Sequence, residues 1–420
     1  MRLGILTQWY DPELGGASIP GVLARGLVER GHDVHVLTGF PNYPDGKLYP
    51  GYSIRPRTIE RISGVTVRRV ALYPDHGSSS ARRLANYGSF AASATTLGLP
   101  GMRHLDALWV YNSPVTVAIP MWILSYFGQV PTVLHNMDMW PDSLFATGFA
   151  QRGRVTRVVE GALHVWCRQM YASAVSVAYV SPSAGAVLES RGVPADKLHY
   201  VPVWVNEMIF HPAKGDEVRR SLGIRDHEVA VIYAGALGRA QGIGTLVEAM
   251  NALPIGLPIK CLIAGSGTES ESVRRAASAS DGRVQFLGTI SSDAIGRYMA
   301  AADIHFVGLR PDKMSQFTFP SKVQATMAAG KALLTAAEGD ATRVTVDADA
   351  GIIAKPGDAR SIAQALLTAQ TLGRQALAGK GQNARRYFER HFSARRGVDQ
   401  MERLLIEAAA VGRQRESSDT

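Results

Sequence analysis

The chain is short of cysteine, of uninterrupted apolar sequence and of clustered metal-ligand residue types, and each shortage removes a class of protein. Cys167 and Cys261 are the only cysteines in 420 residues. They lie far apart, each inside an apolar run. That excludes a disulfide scaffold and reads as two buried thiols in a reducing compartment. Neither has a second ligand type at metal spacing, so no metal is expected. The longest apolar run, 115–134, is broken by Pro120, Gly128, Gln129 and Pro131, which leaves too few residues to span a bilayer. Met1 leads straight into a strand-like run, so a signal peptide is not expected.

Excess charge is what the chain does have. The formal net charge is +9, and residues 55–83 hold seven arginines (55, 57, 61, 68, 69, 82 and 83) against Glu60 and Asp75. Residues 152–168 hold four more against Glu160. Solvated surface explains such patches as well as an anionic partner does. The basic stretches lack the regular aromatics of nucleic-acid readers, so no nucleic acid is expected. A membrane surface or a phosphorylated acceptor fits better.

A chain of this length is expected to form two domains. It opens with a strand (3–7), a loop containing Gly15-Gly16, a helix in which Ile19, Val22, Leu23 and Leu27 share a face, and a strand at 34–37. Strands and helices continue to alternate: strands at 65–70, 107–111, 132–134 and 175–180, with helices near 82–97, 116–126 and 155–172. The stretch 200–213 has two prolines, Pro202 and Pro212, and no helical period, and is read as a linker. A second series follows, with strands at 230–234, 259–264, 284–287, 303–307 and 332–335 and helices at 243–250 and 321–329. Short apolar strands alternating with helices predict doubly wound α/β domains. Ligands bind such sheets beyond the carboxyl ends of the strands.

Nine phrases, in order, span nearly the whole chain: QWYDPELGGAS, ERGHDVHVLTGFPNYPDGKLYPGY, GVTVRRVALYP, DMWPDS, YVPVWVNEMIF, YAGALGRAQGI, IAGSGTE, VQFLGTIS and FPSKVQATMAAGK. Together they resemble retaining family-4 glycosyltransferases of the GT-B fold, closest to fucosamine-transferase-type enzymes that build capsule, exopolysaccharide and O-antigen units. The resemblance implies an α/β protein of two Rossmann-like domains facing a central cleft. Residues 1–203 would bind the acceptor and 204–395 a nucleotide sugar, UDP-linked by preference. A helix in 396–420 would pack back on the first domain before a polar tail that frays from Arg413. It implies no cofactor and no metal, and a cytoplasmic enzyme that meets the inner face of the membrane. The acceptor would be lipid-linked, or in a second reading a soluble small molecule.

Site residues follow from the same resemblance. Gly15 and Gly16 would present backbone N–H groups to the donor diphosphate. Asp138 would orient or deprotonate the acceptor hydroxyl, with His135 beside it as either a catalytic or a structural histidine. Asp142 reads as a helix cap after Pro141. The loop 235–242 would hold the diphosphate, yet Ala236 and Gln241 stand where relatives often carry Arg and Lys, which leaves Arg239 to supply a charge. Gly265, Ser266 and Gly267 would lie near the nucleotide, and Phe286 and Leu287 would meet the base through their backbone. Pro320, Ser321 and Lys322 open a helix suited to a diphosphate. The family's pair of glutamates would fall at Phe317 and Ala325, and Asp340 is the candidate replacement. Asn42, Tyr43, His76, Arg82 and Arg83 are candidates for acceptor binding. Two other classes stay open: a non-catalytic nucleotide-sugar-binding protein, and a nucleotide-sugar epimerase, which would need opposing carboxylates that the chain does not offer.

Overall fold

The computed structural model describes the chain apart from residues 14, 78, 143–153, 312–317 and 419–420. It divides into two compact units, residues 1–203 with 394–420, and residues 204–393.

Unit 1 is built on an eight-stranded sheet of β1 (Arg2–Leu6), β2 (Asp33–Gly39), β3 (Arg57–Ile62), β4 (Val65–Val70), β5 (Ala107–Asn112), β6 (Thr132–Asn136), β7 (Ser176–Tyr179) and β8 (Leu198–Tyr200), in the order β3-β4-β2-β1-β5-β6-β7-β8. Every residue of β5 and β6 is buried, as parallel strands covered on both faces require. β3 differs: it pairs antiparallel with β4 through a turn at Ser63-Gly64, both at positive φ. The sequence pattern does not reveal β3, because its residues RTIERI alternate between exposed and half-buried. Charge on such an edge also discourages pairing with another chain. Of the seven arginines in 55–83, Arg69 is not a surface residue. It is fully buried, pairs with Glu60, and donates to the carbonyls of Gly39 (3.0 Å) and Asp11.

The helix Ala394–Ser418 belongs to unit 1. It starts at Ala394, just before the expected 396–420 span, and continues to Ser418, beyond the expected fraying point at Arg413. Arg30 pairs with Asp399 and, at 3.1 Å, with Glu402, which also meets His32 at 2.7 Å. Gly26 makes the contact possible, since a Cβ there would lie 2.9 Å from Val398.

Unit 2 carries a six-stranded sheet, all pairings parallel among the described residues. Its strands are β9 (Val229–Ala234), β10 (Ile259–Ala264), β11 (Val284–Gly288), β12 (Ile304–Gly308), β13 (Ala332–Ala336) and β14 (Gly351–Ile353), in the order β11-β10-β9-β12-β13-β14. Along β9, Val229, Val231 and Tyr233 join one core cluster and Ala230 and Ile232 another, the period of two that fills both faces of a sheet. The short elements Leu198–Tyr200, Asp216–Ser221 and Gly351–Ile353 have too few residues to register as a periodic pattern. Among the described residues no helix is long and apolar enough to cross a membrane.

Both sheets reverse strand order once near their middle, between β1 and β5 in unit 1 and between β9 and β12 in unit 2. The loops leaving the carboxyl ends there diverge, and they carry the residues described next.

Candidate functional site

In unit 2 the loops after β9 and β10 touch backbone to backbone. Gly265 has φ +142°, and a Cβ on it would lie 1.8 Å from the Gly235 carbonyl oxygen. A Cβ on Gly267 would lie 2.5 Å from the Leu237 carbonyl oxygen. Only glycine permits this approach. The contact is sealed by N–H donation from Gly235 to Ala264 (3.0 Å), from Leu237 to Ser266 (2.8 Å) and from Glu269 to Leu237 (2.8 Å). Ser266 and Gly267 are left on the surface. On β11 the pairing with β10 steps from Phe286 directly to Gly288. Leu287 is thereby out of register, and its backbone groups lie off the ladder, as in a β-bulge.

The helix Ser321–Ala328 starts after Pro320, with no acidic residue in its first turn. Its N–H groups and dipole favour an anion. Lys322, in that first turn, reaches across Gly235. A Cβ on Gly235 would fall 2.5 Å from Lys322 Cε and 2.8 Å from Nζ. The ammonium sits 5.2 Å from the centre of the Tyr233 ring. Burial lowers its pKa from 10.5 to about 8.

Other expected donor residues are placed differently. Gln241 folds back so that its Oε1 accepts from the Gly238 amide at 3.1 Å; its side chain closes the loop rather than facing a ligand. Arg239 is exposed on the same loop. Asp340 has no accessible surface, and its Oδ1 lies 3.2 Å from Arg343 Nη2, so it does not present a carboxylate to a sugar. Ala325 is a buried core residue, and Phe317 lies outside the described residues. The sequence also spells Asp-x-Asp at Asp347-Ala348-Asp349, a pattern with a possible metal role. The Asp349 carboxylate is held by Lys380 at 2.8 Å and Asn383 at 3.1 Å, and so fastens the end of its helix.

In unit 1, Gly15–Ser18 forms a 3₁₀ turn that feeds the helix Ile19–Glu29. The Tyr111 hydroxyl donates to the Gly16 carbonyl at 3.0 Å. A Cβ on Gly16 would meet only that hydroxyl, at 3.9 Å, so packing does not demand glycine there. Asp138 lies two residues beyond β6 and accepts from Ser113 Oγ at 3.0 Å. It keeps accessible surface, yet the protein mass around its carboxyl raises its pKa by desolvation, against the hydrogen bond from Ser113. Its charge is felt at Tyr43, Tyr87 and Tyr111, whose own pKa values are raised chiefly by burial.

His135 is not beside Asp138 on the surface. It lies inside β6, fully buried, with Nε2–H donating to the Val201 carbonyl at 3.1 Å, and burial lowers its pKa to about 4. A neutral ring with no accessible surface is a core group, and the structural reading replaces the catalytic one. Asp142 is engaged by Arg191, which also donates to the Trp140 carbonyl; the amides that it was expected to cap lie outside the described residues.

The acceptor candidates divide. Tyr43 and His76 join Trp9 in a ring cluster, with centroids 5.2 Å apart for Tyr43–His76, 5.4 Å for Trp9–Tyr43 and 6.1 Å for Trp9–His76. Burial lowers the His76 pKa, and the Arg83 charge lowers it further. Arg82 is solvent-exposed on helix Ser80–Ser93. Asn42 is buried, with its side chain turned inward to donate to the Phe40 carbonyl at 2.9 Å; it shapes the loop and does not face a ligand.

Sequence reasoning missed Glu13, the residue that organises this cluster. Its carboxylate is 2% exposed and accepts from the backbone N–H groups of Tyr10 (2.9 Å), Asn42 (2.7 Å) and Tyr43 (2.8 Å). Burial nevertheless lifts its pKa to about 7. Its place in PELGG was visible, but three donors arriving from two loops were not.

Two α/β units on largely parallel sheets, each with a glycine loop after its first strand, have the architecture of the GT-B fold. Residues 228–371 match the family model for glycosyl transferases group 1, and residues 15–204 match the glycosyl transferase 4-like domain. Together the two matches make this chain a glycosyltransferase. It is 27% identical over 326 residues, 76% of this chain and 79% of the relative, to WcaI of Escherichia coli strain K12, a glycosyl transferase assigned by name to colanic acid biosynthesis. Among solved structures it is similar to sucrose-phosphate synthase of Thermosynechococcus elongatus (TM-score 0.73, 19% identity, 98% of this chain and 99% of that one). It is also similar to Anabaena HepE in complex with UDP (TM-score 0.69, 16% identity, 97% and 100%).

Glu13 yields a pH signature. Its folded pKa, about 7, lies above the ordinary 4.5. Its contribution to stability is therefore full below pH 4.5 and is lost as pH rises through 7. The unfolding free energy of the wild type relative to Glu13→Gln should fall by about 3 kcal/mol across that window, followed by urea denaturation. A difference that stays flat with pH would remove the buried-acid assignment.

Proposed function

We propose that this glycosyltransferase retains anomeric configuration and moves a sugar from a nucleoside diphosphate, UDP by preference, to a hydroxyl of a lipid-linked saccharide in cell-surface polysaccharide assembly. The observation that carries the donor reading is Lys322 at a helix N-terminus, laid over Gly235 at the switch point of unit 2. A diphosphate would meet a cation and a set of N–H donors in one place, with no metal required. The off-register backbone at Leu287 suits the edge of a uracil, and the UDP bound to HepE favours the same base.

In unit 1, Asp138 would orient the acceptor hydroxyl while the leaving phosphate takes its proton. Trp9, Tyr43 and His76 would offer ring faces to a saccharide. The open space before Gly16 would leave room for an anion against its backbone. The lipid-linked reading draws on the name of WcaI and on the surface of unit 1. Phe127, Val158 and Val165 are 85, 73 and 64% exposed, and Arg157 and Arg168 are exposed beside the two valines on one helix. Apolar side chains flanked by arginine suit an anionic bilayer surface. On this reading the enzyme works in the cytoplasm, against the inner face of the membrane.

A thermal-shift panel of UDP, dTDP and GDP tests the donor. A nucleotide at a hundredfold excess over its Kd should stabilise the fold by roughly 3 kcal/mol, with UDP giving the largest shift. A larger shift with another base would overturn the UDP assignment, and no shift with any of the three would overturn the donor reading. Asp138→Asn should lower turnover by about a hundredfold and leave the Kd for the nucleotide sugar within twofold; unchanged turnover removes Asp138 from the mechanism. Sedimentation with phosphatidylglycerol-containing vesicles should carry the protein down at low salt and release it at high salt. Failure to sediment at low salt would favour a soluble acceptor.

A further inference from the structure

Among the described residues no carboxylate forms an ion pair with Lys322, and burial alone accounts for its lowered pKa. A long flexible ammonium in that position needs something to hold it while the site is empty, because an unrestrained lysine gives up rotamer freedom when a phosphate arrives. Among the described residues around it, Tyr233 is a candidate. Tyr233 is the penultimate residue of β9, fully buried in the core of unit 2. Residues two apart on a strand point to the same face, so the Tyr233 ring and the bare Cα of Gly235 lie in line along one side of the sheet. The lysine stem occupies the space left at Gly235, and the ammonium comes to rest 5.2 Å from the ring centre, within reach of a cation–π attraction.

The other end of the same side chain holds the loop. The Tyr233 hydroxyl donates to the carbonyl of Ala236, one residue beyond Gly235. That bond satisfies the phenol and sets the course of the chain as it leaves the strand and enters 235–242. Phenylalanine would pack in the core as well but would leave this carbonyl unheld. Leucine would remove both the ring face and the hydroxyl.

We infer that Tyr233 is a positioning residue for the diphosphate of the donor, its ring holding the Lys322 ammonium in place and its hydroxyl fixing the first turn of the phosphate-facing loop. The inference rests on the reading of Lys322 as the diphosphate cation. Tyr233 itself touches no phosphate. It acts through Lys322 and Ala236, and its effect is confined to the phosphate end of the ligand, since the base is assigned to the backbone near Leu287.

That confinement makes the inference testable with UDP and uridine as probes, by calorimetric titration for UDP and NMR titration for uridine. Tyr233→Leu should weaken UDP by about tenfold, the size of a desolvated cation–π contact, and leave uridine within twofold. Tyr233→Phe, which keeps the ring and the core packing, should weaken UDP by about two- to threefold. In a Lys322→Met background, Tyr233→Leu should cost only the two- to threefold that the hydroxyl carries, because the part that acts through the ammonium is not additive. Equal loss of UDP and uridine, or a Tyr233→Leu loss undiminished in the Lys322→Met background, would make Tyr233 a core residue only. A Tyr233→Phe loss as large as that of Tyr233→Leu would overturn the role of the ring. If the wild type binds no UDP, or Lys322→Met binds it as tightly as the wild type does, the donor reading itself fails, an outcome separate from the first three.

Discussion

The Cβ that Gly235 lacks is the constraint on which the donor half of this protein depends. The Lys322 stem passes through that space, and the Tyr233 ring lines up behind it. Any residue other than glycine there would push the lysine away from the switch point. The loop after β10 depends on a second missing Cβ, that of Gly265, which lets it close against the Gly235 carbonyl. The local price is backbone freedom in the unfolded chain, offset by the hydrogen bonds that join these loops. The site is therefore rigid backbone around one desolvated cation with no acid paired to it among the described residues, the combination that makes an empty anion site strained and an occupied one stable.

Unit 1 solves the matching problem with buried charge. Glu13 gathers three amides from two loops, while Arg69 reaches the carbonyls of Asp11 and Gly39 and pairs with Glu60. Long surface loops carry polar backbone that must be satisfied. A single carboxylate and a single guanidinium at the roots of these loops do that, and in doing so set the positions of Trp9 and Tyr43. Breaking either group leaves several donors or acceptors without partners, which costs more than one surface ion pair.

The alternation of apolar strands and helices was legible because parallel sheets bury both faces, and β4, β5 and β10 fall where their apolar runs do. The edge strand β3 was not, because an edge exposes charge and has no apolar signature. Among the candidate site residues, the place of Lys322 in a first helical turn was legible from Pro-Ser-Lys, and that of Asp138 from its position after a strand. His135 and Asp340 were misplaced for one reason: both stand near strand ends in the chain, and only packing decides which side chains there point inward. Glu13, Tyr111 and Tyr233 carry no local motif, and each acquires its role from a partner distant in the chain or on another loop.

The sequence by itself determined that this chain folds as two doubly wound α/β units with glycine loops after their first strands, because periodicity, glycine and helix-start chemistry are local properties. It also pointed to a glycosyltransferase, through the order of its phrases. Only the tertiary structure decided which polar groups stand free at the switch points and which are taken up by the fold. It turned Gln241, Asn42 and Asp142 to internal bonds, and it laid the Lys322 ammonium over an aromatic ring rather than against a described carboxylate. The physical reason is that burial and hydrogen-bond partners depend on neighbours brought together from distant parts of the chain, and a side chain's chemistry is set by those neighbours as much as by its own identity.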